Sequence, residues 1–208
     1  MGSAVTAAPG SVLDRLRPGG HSRAVQWTAC REGDVTMARH GELGVLLRGA
    51  YSHQPQLFGG LRTWSYLRPE ARVIGTDASG AAAMAGVLRR FLQVGEAEQL
   101  VAVVGLVSVR PDLQGRGVGA ELMRRVGQFL GELAVPFGLL MCAEQRVRFY
   151  QRAGWHQLTP RRMVYSLDDT REAEPFADEI VGTAMILPVT EGLDEWPPGE
   201  LRWHCATV

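Results

Sequence analysis

Apolar and β-branched runs occupy the middle of the chain. Segments 71–77, 81–94 and 96–109 are rich in valine, leucine and alanine, and the turn-forming residues DASG (77–80) and Gly95 separate them. Apolar runs bounded by turn residues are typical of strands. AAAMAGVLRRFL alone also fits a helix, but its context predicts two long strands, 81–94 and 96–109, joined at Gly95.

Helical periodicity follows these strands. One apolar stripe recurs at i, i+4, i+7, i+8 and i+11, in Leu122, Val126, Phe129, Leu130 and Leu133. This spacing predicts an amphipathic helix. A second helix is predicted over 144–154, where Gly154 suits the position just after a helix end. A third is predicted to begin at Asp34, a good N-cap residue.

Shorter apolar segments at 25–30, 135–143, 163–167 and 182–189 predict further strands, and 52–70 is predicted to be a long loop. Strands mixed with helices in this order predict an α/β domain with one mixed sheet. The 208 residues suit a single domain, which we place at 23–208. Residues 1–22 are rich in small residues, glycine and proline, and are predicted to form a disordered leader.

Composition excludes several classes of protein. No apolar run is long enough for a membrane span, and the N-terminus lacks the apolar region of a secretory signal. Cys30, Cys142 and Cys205 are far apart, so they indicate neither a disulfide framework nor a metal site. A cytoplasmic location is therefore expected. The chain has no lysine, which excludes Schiff-base chemistry on an enzyme lysine.

Charge is unevenly distributed along a chain of zero net charge. From Leu167 onward there are ten acidic residues against two arginines, so bases exceed acids in residues 1–166. A basic body favours an anionic ligand and an acidic tail a cationic one, with an ordinary solvated surface as the equal alternative. Nucleic-acid binding is not indicated, because there is no basic stripe interleaved with aromatic residues.

The segment SVRPDLQGRGVGA (108–120) places three glycines at alternate positions between a predicted strand and a predicted helix. The first N–H groups of a helix lack partners and carry partial positive charge, and glycine lets phosphate oxygens approach them. We therefore predict that Gln114–Gly119 binds a pyrophosphate, with Arg116 adding a charged contact. A glycine-rich turn without a ligand is the alternative. A Walker loop is excluded because no Gly-Lys-Ser/Thr follows, and the spacing fits a dinucleotide fingerprint poorly.

This segment resembles motif A, Q/R-x-x-G-x-G/A, of the GCN5-related N-acetyltransferases (GNAT), at Gln114, Gly117 and Gly119. RFYQRAGW (148–155) resembles the Y-x-x-x-G-F/W element of the same superfamily. The resemblance implies the GNAT fold, a mixed and mostly antiparallel twisted sheet flanked by helices, and acetyl-CoA as cosubstrate without a metal. The CoA contacts it implies are Val107, Ser108, Val109, Gln114, Gly115, Arg116, Gly117, Val118, Gly119 and Ala120.

Two families within that fold are similar over more of the chain. QWTACREGD, RTWSYLRPEARVIGTDASGAAA, VLRRFLQVGE, GLVSVRPDL and LDEWPPGEL resemble the NodA-type N-acyltransferases, which acylate a free amine of a chito-oligosaccharide from an acyl-carrier donor. NodA proteins lack a clean Gln-x-x-Gly-x-Gly loop, which favours CoA here. The aminoglycoside 2′-N-acetyltransferases are similar in the loop, in RVRFYQRAGW and in the C-terminal ending. That likeness implies amino-sugar contacts at Glu200 and Trp203. Asp194, in the same acidic segment, is a further candidate for binding the ammonium groups of such a substrate.

Acyl transfer to an amine needs a polarised thioester carbonyl and a proton for the leaving thiolate. Leu106–Val109 can hold a pantetheine arm by backbone pairing and offer an N–H to the carbonyl oxygen. Tyr150 is the candidate general acid, with simple core packing as its alternative. The general base stays open between Glu98, His53, Glu144, Glu200 and a water relay. Cys142 is expected to pack as an apolar side chain rather than act as a nucleophile.

From the sequence we therefore predict an acetyl-CoA-dependent N-acetyltransferase acting on an amino sugar of the aminoglycoside antibiotic type. The alternatives are a NodA-like acyltransferase with a longer acyl donor and a CoA-binding protein without turnover. The partner is expected to be a small molecule. The oligomeric state stays open, with a homodimer as one option.

Overall fold

The computed structural model describes residues 24–60, 62–65, 68–159, 163–166, 178–179 and 182–204. The predicted leader, residues 1–22, lies outside the described residues. None of the described helices is long and apolar enough to cross a membrane.

Ten strands and three α-helices are present in the described part of the chain. The strands are β1 (Gln26–Arg31), β2 (Ala71–Asp77), β3 (Gly80–Val94), β4 (Ala97–Val109), β5 (Phe137–Cys142), β6 (His156–Gln157), β7 (Met163–Ser166), β8 (Asp178–Glu179), β9 (Thr183–Pro188) and β10 (Leu201–His204). The helices are α1 (Met37–Ala50), α2 (Val118–Glu132) and α3 (Val147–Arg152). Short 3-10 turns lie at Glu32–Asp34, Pro111–Leu113, Glu144–Arg146 and Leu193–Glu195.

The strands form one mixed, mostly antiparallel sheet in the order β6-β9-β5-β4-β3-β10-β7-β8, and β2 and β1 extend it from β3. The long β3–β4 hairpin is its centre. β2 pairs with the first half of β3, up to Val87, while β10 pairs with Gln93 and Val94 at its other end. The β4–β5 and β10–β7 pairs are parallel. The predicted fold class, an α/β sheet flanked by helices, is confirmed.

Each face of the sheet has its own core. On one face, α2 and α3 pack on alternate residues of the central strands, such as Ala85, Ala102 and Val104. On the other face, α1 covers Met84 and Leu106, and a further cluster around Phe137 and Trp203 covers the far end. The helix stripe predicted from Leu122 to Leu133 packs into the first of these cores.

A buried polar network links α1 to β2 and to the 52–70 segment. Arg72 has no exposed surface, and its guanidinium donates to the Glu32 carboxylate and to the Thr63 hydroxyl. Thr63 also hydrogen-bonds to His40 Nδ1 at 2.9 Å. A buried guanidinium needs such partners because desolvation of an unpaired charge is costly. The network therefore holds Thr63 of the predicted long loop against the sheet.

The structure corrects two helix boundaries and adds a strand in the C-terminal segment. The first helix is capped by Thr36, whose hydroxyl accepts from Arg39 N at 3.2 Å, and not by Asp34, which ends a 3-10 turn. The predicted 144–154 helix begins as a 3-10 turn and is helical only from Val147, although Gly154 has the left-handed φ of +87° expected after a helix. The C-terminal segment contains β10, which the apolar pattern did not predict.

Candidate active site

The central strand β4 is interrupted near its end. Leu106 has a φ of +57°, a left-handed conformation that is rare for leucine. The β3–β4 register shifts at the same place, so that Gly86 lies opposite Gly105 but Met84 lies opposite Ser108. These are the signs of a β-bulge, which inserts an extra residue and bends the strand.

The bulge coincides with a separation of β4 from β5. The two parallel strands are paired only where Val101–Val103 lie beside Phe137–Leu139. β4 then runs on to Val109 and β5 to Cys142 without further pairing to each other. The result is a cleft between the ends of two neighbouring strands, with bare backbone along its β4 edge.

The hydrogen bonds of β4 show which backbone groups face the cleft. Arg110 N donates to Ala82 O of β3 at 2.8 Å. Because backbone groups alternate in direction along an antiparallel strand, Val109 and Val107 turn their N–H and C=O groups away from β3 and into the cleft. Ser108, which the resemblance places among the CoA contacts, turns its backbone toward β3, and its buried hydroxyl donates to Leu106 O at 3.0 Å. Ser108 therefore braces the bulge.

Side chains hold both cleft-facing carbonyls. Tyr51 Oη donates to Val107 O at 3.4 Å, and Gln114 Nε2 donates to Val109 O at 3.1 Å. The N–H groups of Val107 and Val109 are on the same edge and can donate to a ligand carbonyl. This edge can pair with an extended arm that carries amide groups, as the sequence predicted for 106–109.

The glycine loop leads from the end of β4 into α2. Gly115 and Gly117 have φ values of +73° and +83°, and a Cβ at either position would meet no atom within 4 Å. Gly117 is the N-cap of α2 and provides no side-chain cap for the helix. Its left-handed backbone favours glycine, and the space above it is open to an approaching anion.

The first N–H groups of α2, those of Val118, Gly119 and Ala120, have no acceptor within the helix and lie at its positive end. A Cβ at Gly119 would lie 3.3 Å from the Phe149 ring, so only glycine fits without displacing that side chain. Arg116 is exposed beside them. The loop thus has the shape, the donors and the charge that a pyrophosphate requires.

Acidic groups near this loop are neutralised. Glu121, in the first turn of α2, accepts from Arg124 at 2.6 Å and from Arg125 at 2.8 Å, and these hydrogen bonds lower its pKa to about 2. Arg110 bridges the buried Asp77 carboxylate and the exposed Asp112 carboxylate, and both carboxylates raise the pKa of Arg110. The ion pairs of Arg110 anchor the loop where it leaves β4.

Tyr150 lies on α3 and is 8% exposed, with its ring against Phe149 and Trp155. Burial raises its pKa above the ordinary value of 10, and the neighbouring Tyr51 and Cys142 add to this shift. The hydroxyl therefore keeps its proton at neutral pH. No residue in the described ranges hydrogen-bonds it, so it can donate to a ligand.

The four candidate bases lie in different parts of the structure. Glu98 lies opposite Gln93 near the tip of the β3–β4 hairpin, and Glu200 lies beside Gly95 at that tip. His53 stacks on Tyr51 with ring centroids 6.1 Å apart. Glu144 follows β5 and accepts from Thr183 Oγ1 at 2.8 Å. Only His53 and Glu144, among these four described residues, are near the cleft.

Cys142, at the end of β5, also lies near the cleft. Burial, together with the Glu144 charge, raises the pKa of its thiol. A raised pKa disfavours the thiolate, which is the nucleophilic form. This agrees with the expectation that Cys142 packs as an apolar side chain.

The structure does not bring the three predicted substrate residues to this cleft. Trp203 has no exposed surface, so its indole face is not available to a sugar. Glu200 is paired with Arg202, and its carbonyl accepts from Gly95 N at 2.9 Å. β10 begins to pair with β3 at Leu201, opposite Val94. Val94 is eight residues along β3 from Gly86, which lies beside the bulge, so the two positions are about 26 Å apart. Asp194 is exposed in the 3-10 turn that precedes this segment.

A cavity of about 450 Å³ lies at this far end, lined by Val94, Leu158, Trp196, Pro198 and Leu201 among others. Neither the bulge nor the glycine loop borders it. The cleft is the candidate site, because backbone donors, the first N–H groups of α2 and a protonated hydroxyl converge there.

Sequence comparison places the chain with nodulation proteins. The sequence model of the nodulation protein A (NodA) family matches residues 22–202. Nodulation protein A of Mesorhizobium sp. (strain 7653R) is 38% identical over 193 residues, covering 86% of this chain and 94% of the relative.

Comparison with solved structures finds acetyltransferases of similar fold. Escherichia coli ElaA superposes with a TM-score of 0.56 at 17% identity, over 79% of this chain and 99% of that protein. A GNAT family acetyltransferase from Brucella melitensis, crystallised with acetyl-CoA, superposes with a TM-score of 0.54 at 16% identity, over 86% and 96% of the two chains. At these identities the likeness shows the fold alone, and it confirms the GNAT fold predicted from the motifs.

Proposed function

The chain belongs to the nodulation protein A family, and on that premise we propose that it is an N-acyltransferase that moves an acyl group from a CoA-type thioester to the free amine of an amino-sugar oligosaccharide. The observation that carries this proposal is the opening of β4 from β5 at the Leu106 bulge, directly before the glycine loop. This arrangement supplies a backbone edge for an acyl-carrying arm and an anion site for a diphosphate.

The donor would be held mainly by backbone groups. The N–H groups from Gly117 to Ala120 and the Arg116 side chain would bind the diphosphate. The arm would lie along Val107 and Val109, and their N–H groups would pair with its carbonyls. One of these N–H groups would also stabilise the oxyanion that forms when the amine attacks the thioester carbonyl.

Tyr150 would complete the transfer. When the tetrahedral intermediate collapses, the carbon–sulfur bond breaks and the departing thiolate needs a proton. The Tyr150 hydroxyl is protonated at neutral pH, so this group can supply that proton. Glu144 or His53 would accept the proton of the attacking amine, directly or through water.

The sequence also indicated two other functions. The aminoglycoside prediction placed its substrate contacts at Asp194, Glu200 and Trp203, which lie away from the cleft, and the family match favours the oligosaccharide alternative. A CoA-binding protein without turnover is disfavoured by the protonated Tyr150 hydroxyl beside the cleft, to which none of the described residues forms a hydrogen bond.

The proposal is tested by thiol release from acetyl-, octanoyl- and palmitoyl-CoA, and from the same acyl groups on an acyl carrier protein. The acceptor is chitotetraose with one free amine, and fully N-acetylated chitotetraose is the matched control. We expect release that requires the free amine. Release with an aminoglycoside but not with the chito-oligosaccharide would restore the antibiotic prediction, and no release with any donor would leave only CoA binding.

A further inference from the structure

The buried Arg72 lies in the same cross-strand row as the bulge. Arg72 of β2 is opposite Gly86 of β3, and Gly86 is opposite Gly105 of β4. Gly105 directly precedes Leu106, the left-handed residue of the bulge. Neighbouring strands are about 4.8 Å apart, so about 10 Å separate the Arg72 backbone from the Gly105 backbone. A side chain with no exposed surface therefore carries a positive charge two strands from the edge of the cleft.

The partners of Arg72 come from two segments that pack on the α1 face of the sheet. Glu32, in the 3-10 turn before α1, accepts from the Arg72 Nε and, at 2.8 Å, from its Nη2. The same Nη2 donates to the hydroxyl of Thr63 at 3.3 Å. Thr63 has no exposed surface and hydrogen-bonds to His40 of α1 at 2.9 Å. A planar guanidinium that binds a carboxylate through two nitrogens fixes its position, so Arg72 holds both segments to β2.

These segments also carry side chains at the cleft. Tyr51 directly follows α1, and its hydroxyl donates to Val107 O at 3.4 Å. His53 comes two residues later and stacks on Tyr51. A shift of α1 or of residues 52–65 would therefore move both rings relative to β4. The hydrogen bonds of Arg72 are on the α1 face, whereas α2, which begins at the glycine loop, packs on the other face.

We propose that Arg72 is a positioning residue for the acyl transfer, because by fixing α1 and residues 52–65 it places Tyr51 and His53 at the cleft. The inference rests on the proposed function, since it assumes that an amine attacks a thioester there. A buried ion pair adds little to stability compared with well-packed apolar side chains of similar volume. The property that matters here is the fixed geometry of the pair. Its loss should slow attack by the amine and leave binding of the diphosphate intact.

The test compares Arg72→Lys with the wild type. Lysine keeps the charge, but its single ammonium group cannot hold the carboxylate through two nitrogens and also reach Thr63. CoA affinity is measured by calorimetry, and kcat/KM is measured for chitotetraose with one free amine, using the acyl donor that the wild type uses best. We expect kcat/KM to fall at least about tenfold and CoA affinity to change less than about threefold, because small misplacements near the reacting atoms are costly.

Thr63→Val is a milder change that keeps the buried ion pair, so it does not depend on whether Arg72→Lys folds. It removes the hydroxyl that joins Arg72 to His40, and kcat/KM should fall about threefold or more. Arg89→Lys is the matched control and should leave kcat/KM unchanged. Arg89 pairs with Glu70 at 2.7 Å, but it is half exposed and lies on the opposite face of the sheet.

Hydrogen exchange of the backbone amides tests the same role without any substrate. Arg72→Lys and Thr63→Val should speed exchange in residues 51–65 and leave α2 as protected as in the wild type. Unchanged exchange in residues 51–65, or unchanged kcat/KM, in both folded variants would overturn the role of Arg72. Equal losses of CoA affinity and kcat/KM would also overturn it, because they would show general loosening of the fold. Absence of turnover in the wild type would instead defeat the proposed function.

Discussion

The hydroxyl of Tyr51 lies 3.4 Å from the backbone oxygen of Val107, and this hydrogen bond ties the end of α1 to the bulge in β4. The Tyr51 ring packs against the Phe58 ring, with 4.8 Å between the two ring centroids. The ring is therefore fixed, and its hydroxyl orients the strand edge on which the acyl-carrying arm would lie.

Tyr51→Phe keeps the ring and removes this hydrogen bond together with the one between the Tyr51 hydroxyl and the Ser108 side chain. We expect turnover to fall about fivefold, the effect of losing roughly 1 kcal/mol of positioning. Thermal unfolding should change little, since the core contacts remain. Steady-state kinetics with acetyl-CoA check the prediction, and unchanged turnover in a folded variant would mean that the bulge holds its shape without Tyr51.

Gly117→Val should weaken CoA binding by roughly 10- to 100-fold, the cost of losing one or two charge-assisted hydrogen bonds. The side chain would fill the open space before α2 and strain a backbone with φ of +83°. Calorimetry measures the affinity. Gly131→Ala is the matched control at the other end of α2, where a Cβ meets nothing within 4 Å. Equal affinities in both variants would contradict the assignment of the diphosphate site.

Tyr150→Phe should lower turnover by on the order of 10²–10⁴-fold and leave CoA affinity almost unaltered, as expected for loss of a general acid. The ring stays in the core, so the variant should fold. If turnover survives, Tyr150 is a packing residue and another group protonates the thiolate.

The same residue predicts a pH dependence. Burial raises the Tyr150 pKa above 10, so its hydroxyl stays protonated at every pH below that value. Turnover of the wild type should therefore show no alkaline decline due to this group between pH 7 and 10. A pH–rate profile checks this, and a decline near pH 8 that disappears in Tyr150→Phe would show that the hydroxyl ionises far earlier.

Glu144→Gln should lower turnover by on the order of 10²-fold, whereas His53→Ala should lower it less. The Glu144 carboxylate is oriented by the Thr183 hydroxyl, while the His53 ring is exposed and stacks on Tyr51. A fixed group is a better base than a mobile one because less ordering is needed in the transition state. The reverse ranking in single-turnover experiments would assign the role to His53.

Much of the architecture follows from local sequence. The apolar runs 81–94 and 96–109 closely match β3 and β4, because a strand buried on both faces needs continuous apolar residues. The glycine loop was identified from its position between a predicted strand and a predicted helix and from its resemblance to motif A. Tyr150 was identified through the motif around it, and the structure places it near Tyr51 and Cys142, while its role as general acid stays a prediction.

Other features depended on contacts between distant segments. The sequence predicted Asp34 as the cap of the first helix, whereas the structure begins the helix at Met37 and caps it with Thr36. Leucine does not favour a left-handed φ, so nothing in the local sequence predicts a bulge at Leu106; the pairing of β3 with β4 on either side imposes it. The substrate role predicted for Trp203 also depended on long-range contacts. β10 pairs with β3, and the Trp203 indole is buried at the far end of the sheet, away from the cleft. Local sequence thus determined which segments are strands, helices and loops, since periodicity and turn chemistry act over a few residues. The tertiary structure decided where the cleft opens and which side chains reach it, since strand pairing joins residues that the sequence does not relate.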